Sequence, residues 1–262
     1  MYHSRFKNLG LSPFHFACAF SNRTQIIDDM LTNGADIDEV SKCGSALCIA
    51  AIHGKTDMVR HFLRRGARIG QPGPVGYSEL LIAADRGHSE TCKVLIEHGA
   101  DVNQKHPITK ASALATAVME GHHDTLLTLL SLGAEINSRS ENGLTSLATA
   151  TEFGRLVHLI SLLQAGADPS LPDKNGAPPT HKAAQVDNVS ALRVLLEHGC
   201  DKEQVKRTKE IICLNRLLFS RLTTQEGLLS WLLRFQVRTD VWRYYWATEL
   251  TQTRWTRMDI LP

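Results

Sequence analysis

Ser78-Glu79-Leu80-Leu81-Ile82-Ala83-Ala84, followed by Gly87-His88 and then Val94-Leu95-Ile96-Glu97-His98-Gly99-Ala100-Asp101-Val102-Asn103, is the stretch on which the fold turns. Ser78 has the side chain of a helix N-cap, suited to take an orphan amide at the start of a first helix. Ala83 and Ala84 let neighbouring helices approach closely, and Gly87 ends that helix because glycine tolerates φ > 0. Val94, Leu95 and Ile96 supply the apolar stripe of a second helix, which Gly99 closes. From Asp101 the chain enters a β-turn finger that leads onward. The unit recurs: Gly34-Ala35, Gly66-Ala67, Gly99-Ala100, Gly133-Ala134, Gly166-Ala167 and Gly199-Cys200 lie 32, 33, 34, 33 and 33 residues apart. A fixed period of that length marks a stacked array in which each unit buries its apolar face against its neighbours. Such an array keeps one long face free, and its default use is to grip another macromolecule.

Composition narrows the classes. Of the 262 residues, 43% are apolar, ample for a core, and the net charge of +2 carries no strong field toward nucleic acid or an anionic membrane. No apolar run approaches the ~20 residues needed to cross a bilayer. Cys18, Cys43, Cys48, Cys92, Cys200 and Cys213 have no paired spacing and no C-x-x-C. They read as reduced thiols, mostly small apolar fillers, of a cytoplasmic or nuclear protein without a secretory leader.

At this level of detail the chain resembles the ankyrin repeat family. The family's Thr-Pro-Leu-His is echoed by Ser12-Pro13-Phe14-His15, Ser45-Ala46-Leu47-Cys48, Ser78-Glu79-Leu80-Leu81, Ser112-Ala113-Leu114-Ala115, Thr145-Ser146-Leu147-Ala148 and Pro178-Pro179-Thr180-His181. Its Gly-His step matches Gly54-Lys55, Gly87-His88, Gly121-His122 and Gly154-Arg155. Its Gly-Ala-Asp-Val-Asn is echoed at Gly34–Asp38, Gly99–Asn103, Gly133–Asn137 and Gly166–Ser170. From the mid-loop residue to the closing glycine there are 12 positions each time, as from Gly54 to Gly66. The resemblance implies an all-α ankyrin-repeat solenoid: paired antiparallel helices with β-turn fingers, plus a helical C-terminal extension. It covers residues 8–202 as six repeats, about 8–40, 41–74, 75–107, 108–140, 141–173 and 174–202. The family histidine that ties adjacent turns survives only as His15 and His181. Cys48, Leu81, Ala115 and Ala148 replace it, so we expect those finger bases to lose one hydrogen-bonding group and to pack more loosely.

Catalytic and metal signatures are weak. Of the histidines, His15, His181, His88, His122, His98 and His198 occupy repeat positions. His122-His123-Asp124 has no further ligand at helical spacing, and Cys43, Cys48 and His53 match no zinc pattern. Gly70-Gln-Pro-Gly73-Pro-Val-Gly76 is read as a stiffened finger tip, because Pro72 and Pro74 remove amides that a phosphate cradle needs. No Gly-x-Ser-x-Gly elbow occurs. We therefore expect no enzyme, no cofactor and no metal.

In the ankyrin family, partners lie across the fingers and the exposed side of the first helices. Carried over by position, this implies two ladders: Ala19, Ile52, Asp85, Met119, Glu152, Gln185 and Phe20, His53, Arg86, Glu120, Phe153, Val186. Finger tips add Lys42, Tyr77, Lys105, His106, Lys110, Glu141, Asn142, Lys174 and Asn175. The candidate partner-binding residues are Phe20, Ile52, His53, Tyr77, Asp85, Arg86, Met119, Glu120, Glu152 and Phe153. The mixture of apolar ends and a charged middle points to a protein or peptide partner, with no nucleic acid and no membrane, held by a monomer. Exposed Phe20 and Phe153 are the natural anchors, although either ring also suits the apolar surface of the loop beside it.

Beyond residue 202 the period stops. Residues 203–262 hold ten Lys/Arg against six Asp/Glu and all four tryptophans, Trp231, Trp242, Trp246 and Trp255. Leu214, Leu217, Leu218 and Leu222, then Leu228, Leu229, Leu232 and Leu233, recur at helical spacing. The simplest reading is a helical cap on the open end of the stack, with order ending near 237. The first alternative is a substrate-receptor adaptor, in which the repeats hold a target and the tail recruits an effector such as a ubiquitin ligase; the tail's likeness to a SOCS box is weak. Membrane-interface contact by the Trp-Arg-Tyr pattern, and an enzyme or accessory protein of a metabolic pathway, are the others.

Overall fold

The computed structural model describes residues 11–198, apart from 22, 72, 74, 75 and 187. The expected helical cap at 203–262 and the outermost residues of the first and sixth repeats lie outside the described residues. Within them the chain forms six antiparallel helix pairs in chain order. These are α1 Pro13–Phe20 with α2 Thr24–Thr32, α3 Ala46–Ile52 with α4 Thr56–Arg64, and α5 Glu79–Asp85 with α6 Ser89–Glu97. They continue as α7 Ala113–Glu120 with α8 His123–Ser131, α9 Ser146–Glu152 with α10 Leu156–Gln164, and α11 Pro179–Gln185 with α12 Val189–Glu197. First helices pack on first helices and second on second along the stack. Strand is confined, among the described residues, to one finger: β1 Val40–Ser41 pairs antiparallel with β2 Gly44–Ser45.

Local chemistry accounts for the helix boundaries. Ser45, Ser78, Ser112 and Thr145 each accept the amide three residues on, from Cys48, Leu81, Ala115 and Ala148. Each bond satisfies one of the four amides that open a helix without a partner. The core is continuous. Phe62, Leu80, Leu95, Leu114, Leu126, Leu147, Leu159 and Leu162 are fully buried, and alanines such as Ala83, Ala117 and Ala183 fill the gaps between first helices. Phe14 meets Phe62 edge to face at 6.1 Å, which ties the first repeat to the second.

The expected loss of hydrogen bonding at the finger bases is partly made good by other residues. His15 plays the family role: its Nδ1 accepts the Ser12 amide at 3.3 Å and its Nε2 donates to the Glu39 carbonyl at 2.9 Å. Leu81, in the same position of the third repeat, is buried apolar surface instead. There Glu79 takes over, with Oε2 accepting the Gly70 amide at 2.9 Å and Oε1 accepting the Cys48 thiol at 3.6 Å. Burial pushes the Glu79 carboxyl above the ordinary value of 4.5, against the lowering pull of these donors. A second set of ties was not anticipated: Asp38, Asn103 and Asn137 accept the amides of Arg68, Glu135 and Asp168 in the next turn, at 2.9, 2.7 and 3.0 Å. The last residue of Gly-Ala-Asp-Val-Asn thus stitches finger to finger.

Candidate partner-binding face

Nine of the ten candidate residues end the first helices or cap them, Tyr77 sits in the finger that precedes α5, and none is buried. Phe20 is 73% exposed and Phe153 43%. Phe20 lies against Phe16 with ring centroids 4.7 Å apart, so the first repeat offers an aromatic pair. Beside it the floor is apolar: Ile49 and Ile82 are 4% exposed, and Cys48, Ala51 and Ile82 form a small cluster with Ile52 and Tyr77 packed on it. In the fourth and fifth repeats the floor turns to Thr116 and Thr149, whose hydroxyls donate back to the Ser112 and Thr145 carbonyls. The middle is charged, with Arg86 Nε 3.5 Å from Asp85 Oδ2. At the sixth repeat, Phe153, Val186 and Val189 stand on the rim of a shallow depression of about 550 Å³ that Glu152, Gly154, Asn188 and Ser190 complete.

Two finger residues differ from the expectation that they project as tips. Tyr77 is half-buried and its ring lies 4.5 Å from that of His106. Burial, then the nearby Asp85 and Glu120 carboxylates, raise its phenol above the ordinary value. His106 is 4% exposed, and its Nδ1 accepts the amides of Ile108 and Thr109. The finger is one residue longer here, and the imidazole folds inward to satisfy the amides of the turn. Lys42, Lys105, Lys110, Glu141, Asn142, Lys174 and Asn175 are exposed.

What positions the ladder is a row of basic groups in the mid-loops. Lys55 Nζ donates to the carbonyls of Cys18, Ala19 and Ser21 at 3.1, 2.7 and 2.9 Å. His88 Nε2 donates to Ile52 O at 3.2 Å and His122 Nε2 to Asp85 O at 2.8 Å. Arg155 Nη2 donates to Met119 O at 3.2 Å and Glu120 O at 3.4 Å. Each base reaches from one repeat onto the carbonyl end of the preceding first helix, where helix polarity favours positive charge. Among the carbonyls held are those of the ladder residues Ala19, Ile52, Asp85, Met119 and Glu120, so their backbones are clamped while their side chains stay at the surface. The row was visible as Gly54-Lys55, Gly87-His88, Gly121-His122 and Gly154-Arg155. Its reach into the preceding repeat was not, because that is a tertiary contact. In the sixth repeat Asn188 stands at this position and instead accepts the Ala191 amide of its own helix at 3.0 Å.

Burial pushes the thiols of Cys18, Cys48 and Cys92 up to about 12, the reverse of nucleophile activation. Among the described residues no group of three or more His, Cys, Asp or Glu side chains is placed to hold a metal. No described helix is long and apolar enough to cross a membrane.

Six stacked helix pairs with a clamped ladder of surface side chains define a repeat-type interaction module. The chain belongs to the ankyrin-repeat family: the model for "Ankyrin repeats (3 copies)" matches twice, over residues 14–106 and 114–206. Ankyrin repeats are, in general, protein–protein interaction modules. The human Ankyrin repeat and KH domain-containing protein 1 is 34% identical over 94 residues, which are 34% of this chain and 4% of that protein's length. The crystal structure of the human ASB11 ankyrin repeat domain superposes with a TM-score of 0.65 at 26% identity, over 73% of this chain and 85% of that one.

Proposed function

We propose that this chain is a non-catalytic scaffold that binds a partner protein or peptide across its fingers and the ends of its first helices. The observation that carries the reading is the row of mid-loop bases, Lys55, His88, His122 and Arg155, holding the carbonyls of Ala19, Ile52, Asp85 and Met119. A face ordered before the partner arrives costs little conformational entropy on binding. Phe20 and Phe153 bracket it with exposed rings, and buried aromatic anchors dominate interface energies. The scaffold acts as a monomer in the cytoplasm or nucleus, a setting consistent with the free thiols of Cys18, Cys43, Cys48 and Cys92.

The test is affinity capture with full-length Phe20→Ala and Phe153→Ala variants, followed by titration calorimetry on the partner recovered. Each anchor should cost about 2 kcal/mol or more, roughly thirtyfold in Kd. Melting temperatures should move far less than affinity, because both rings lie at the surface, Phe20 against Phe16. Unchanged affinity in both variants would place the binding face elsewhere.

Residues 203–262, with a charge of +4 and every tryptophan of the chain, favour a second reading as an adaptor whose tail recruits an effector. Comparing partners of the full chain with those of residues 1–202 separates the two. A class of partner lost only with the tail supports the adaptor, and an identical set rejects it.

A further inference from the structure

We propose that the joint between the fourth and fifth repeats is a proton-sensitive hinge that loosens in mild acid. His123, the first residue of α8, and His158, the third residue of α10, meet across this joint with ring centroids 5.1 Å apart and planes at 79°. His158 is 6% exposed. The buried His123 Nδ1 and His158 Nε2 have no hydrogen-bond partner. The same two helix positions at the joint of the second and third repeats hold Thr56 and Thr91, whose hydroxyls bond at 2.9 Å. A neutral, saturated pair there is replaced here by two imidazoles whose buried nitrogens are unmet.

The surroundings oppose charge on the His158 ring. Those that bear on His158 are His123 on α8, His122 in the loop before it and Arg155 in its own loop, all of them bases. Only the Gly121 carbonyl favours its charged form. Arg155 is engaged with the Met119 and Glu120 carbonyls. On the flanking helices, Glu90 and Lys93 of α6 and Arg193 of α12 are exposed, as is Asp124 beside His123. Burial, and then these bases, hold the His158 ring below its ordinary value of 6.5. The unfolded or opened joint therefore binds protons more readily than the closed one. Stability from the closed joint is full above 6.5 and falls as pH drops from there toward the folded value. A proton placed on the buried His158 ring is better accommodated once α8 separates from α10 and water reaches it, and the ladder residues Met119, Glu120, Glu152 and Phe153 lie on either side of that joint.

Hydrogen exchange by mass spectrometry on the full chain tests this at about pH 7.5 and about pH 5.5, the window in which histidine titrates. Protection factors are corrected for the intrinsic pH dependence of exchange. Amides of α8 and α10 should lose protection several-fold in acid, while those of α4 and α6, across the Thr56–Thr91 pair, should not. A His123→Thr/His158→Thr double variant rebuilds the hydroxyl pair and should abolish the acid response. If that variant does not fold, His158→Gln carries the same expectation. Proton NMR titration of the wild type should place His158 below 6.5. Equal acid loss at both joints, acid loss persisting in the non-titrating variant, or a His158 titration at or above the ordinary value would each overturn the proposal.

Discussion

Gly87 sits at φ +75°, and a Cβ built there would lie 2.5 Å from Nδ1 of His122. Gly54 stands in the same relation to His88, and Gly121 to the Arg155 guanidinium. These glycines carry two duties, a left-handed backbone and a bare surface on which the next repeat's base lies. Gly99 carries only the first: at φ +101° its Cβ would meet nothing within 4 Å. Gly87→Ala should therefore cost more than Gly99→Ala, about 2–3 kcal/mol against about 1–2, since left-handed strain is common to both and the base is displaced only in the first. Urea unfolding of the two variants checks the ordering, and equal losses would mean that the His122 contact contributes nothing. At this scale the repeat glycines and the N-cap serines were legible in sequence, because each acts on its own few residues. Glu79 and His106 were not. A carboxylate in the proline position and a histidine in a finger look exposed until neighbouring repeats close over them.

For the helices the informative comparison is between capping within an element and clamping between elements. Ser45, Ser78, Ser112 and Thr145 cap from within, and their spacing announces where each first helix starts. The far ends of α1, α3, α5 and α7 are held by the following repeat. Lys55 is the strongest of these clamps, with three carbonyls on one ammonium. Burial draws its pKa below the ordinary lysine value, while the three carbonyls take up its N–H donors. Lys55→Met keeps the stem and removes the donors. Hydrogen bonds to a charged group are worth about 1.5–3 kcal/mol, so loss of that order is expected. Exchange should speed up in α1 more than in α4, because the orphaned carbonyls belong to α1. An effect confined to α4 would show that the lysine serves its own helix. The same logic explains why loose finger packing, expected from the missing histidines, does not follow directly: Glu79, Asp38, Asn103 and Asn137 supply ties from other positions.

Over the whole stack, stability is close to a sum of unit and interface terms, so the weakest interface opens first. The clamp runs through four joints and stops at the fifth, where Asn188 serves its own helix beside the shallow depression. The sixth pair, α11 and α12, should then exchange faster than α5 to α8 in native-state hydrogen exchange of the full chain. Uniform protection from α5 to α12 would mean that the missing base is replaced by other contacts. This gradient bears on function, because Phe153 and Val186 lie at the soft end and the Phe16–Phe20 pair at the clamped end. A partner spanning both would order the sixth repeat as it binds.

The period of Gly-Ala steps, the N-cap residues and the alternating apolar stripes determined by themselves that this chain stacks helix pairs. Each of these signals is local and repeats with the unit. The positions of the surface ladder followed too, since in a periodic array register alone assigns a residue to a face. Only the tertiary structure decided which residues hold that face in place. The mid-loop bases, Glu79 and the His123–His158 pair act across joints, through contacts with the neighbouring repeat. Whether a polar group there is satisfied or stranded depends on what the neighbouring repeat presents to it, and no single unit carries that information.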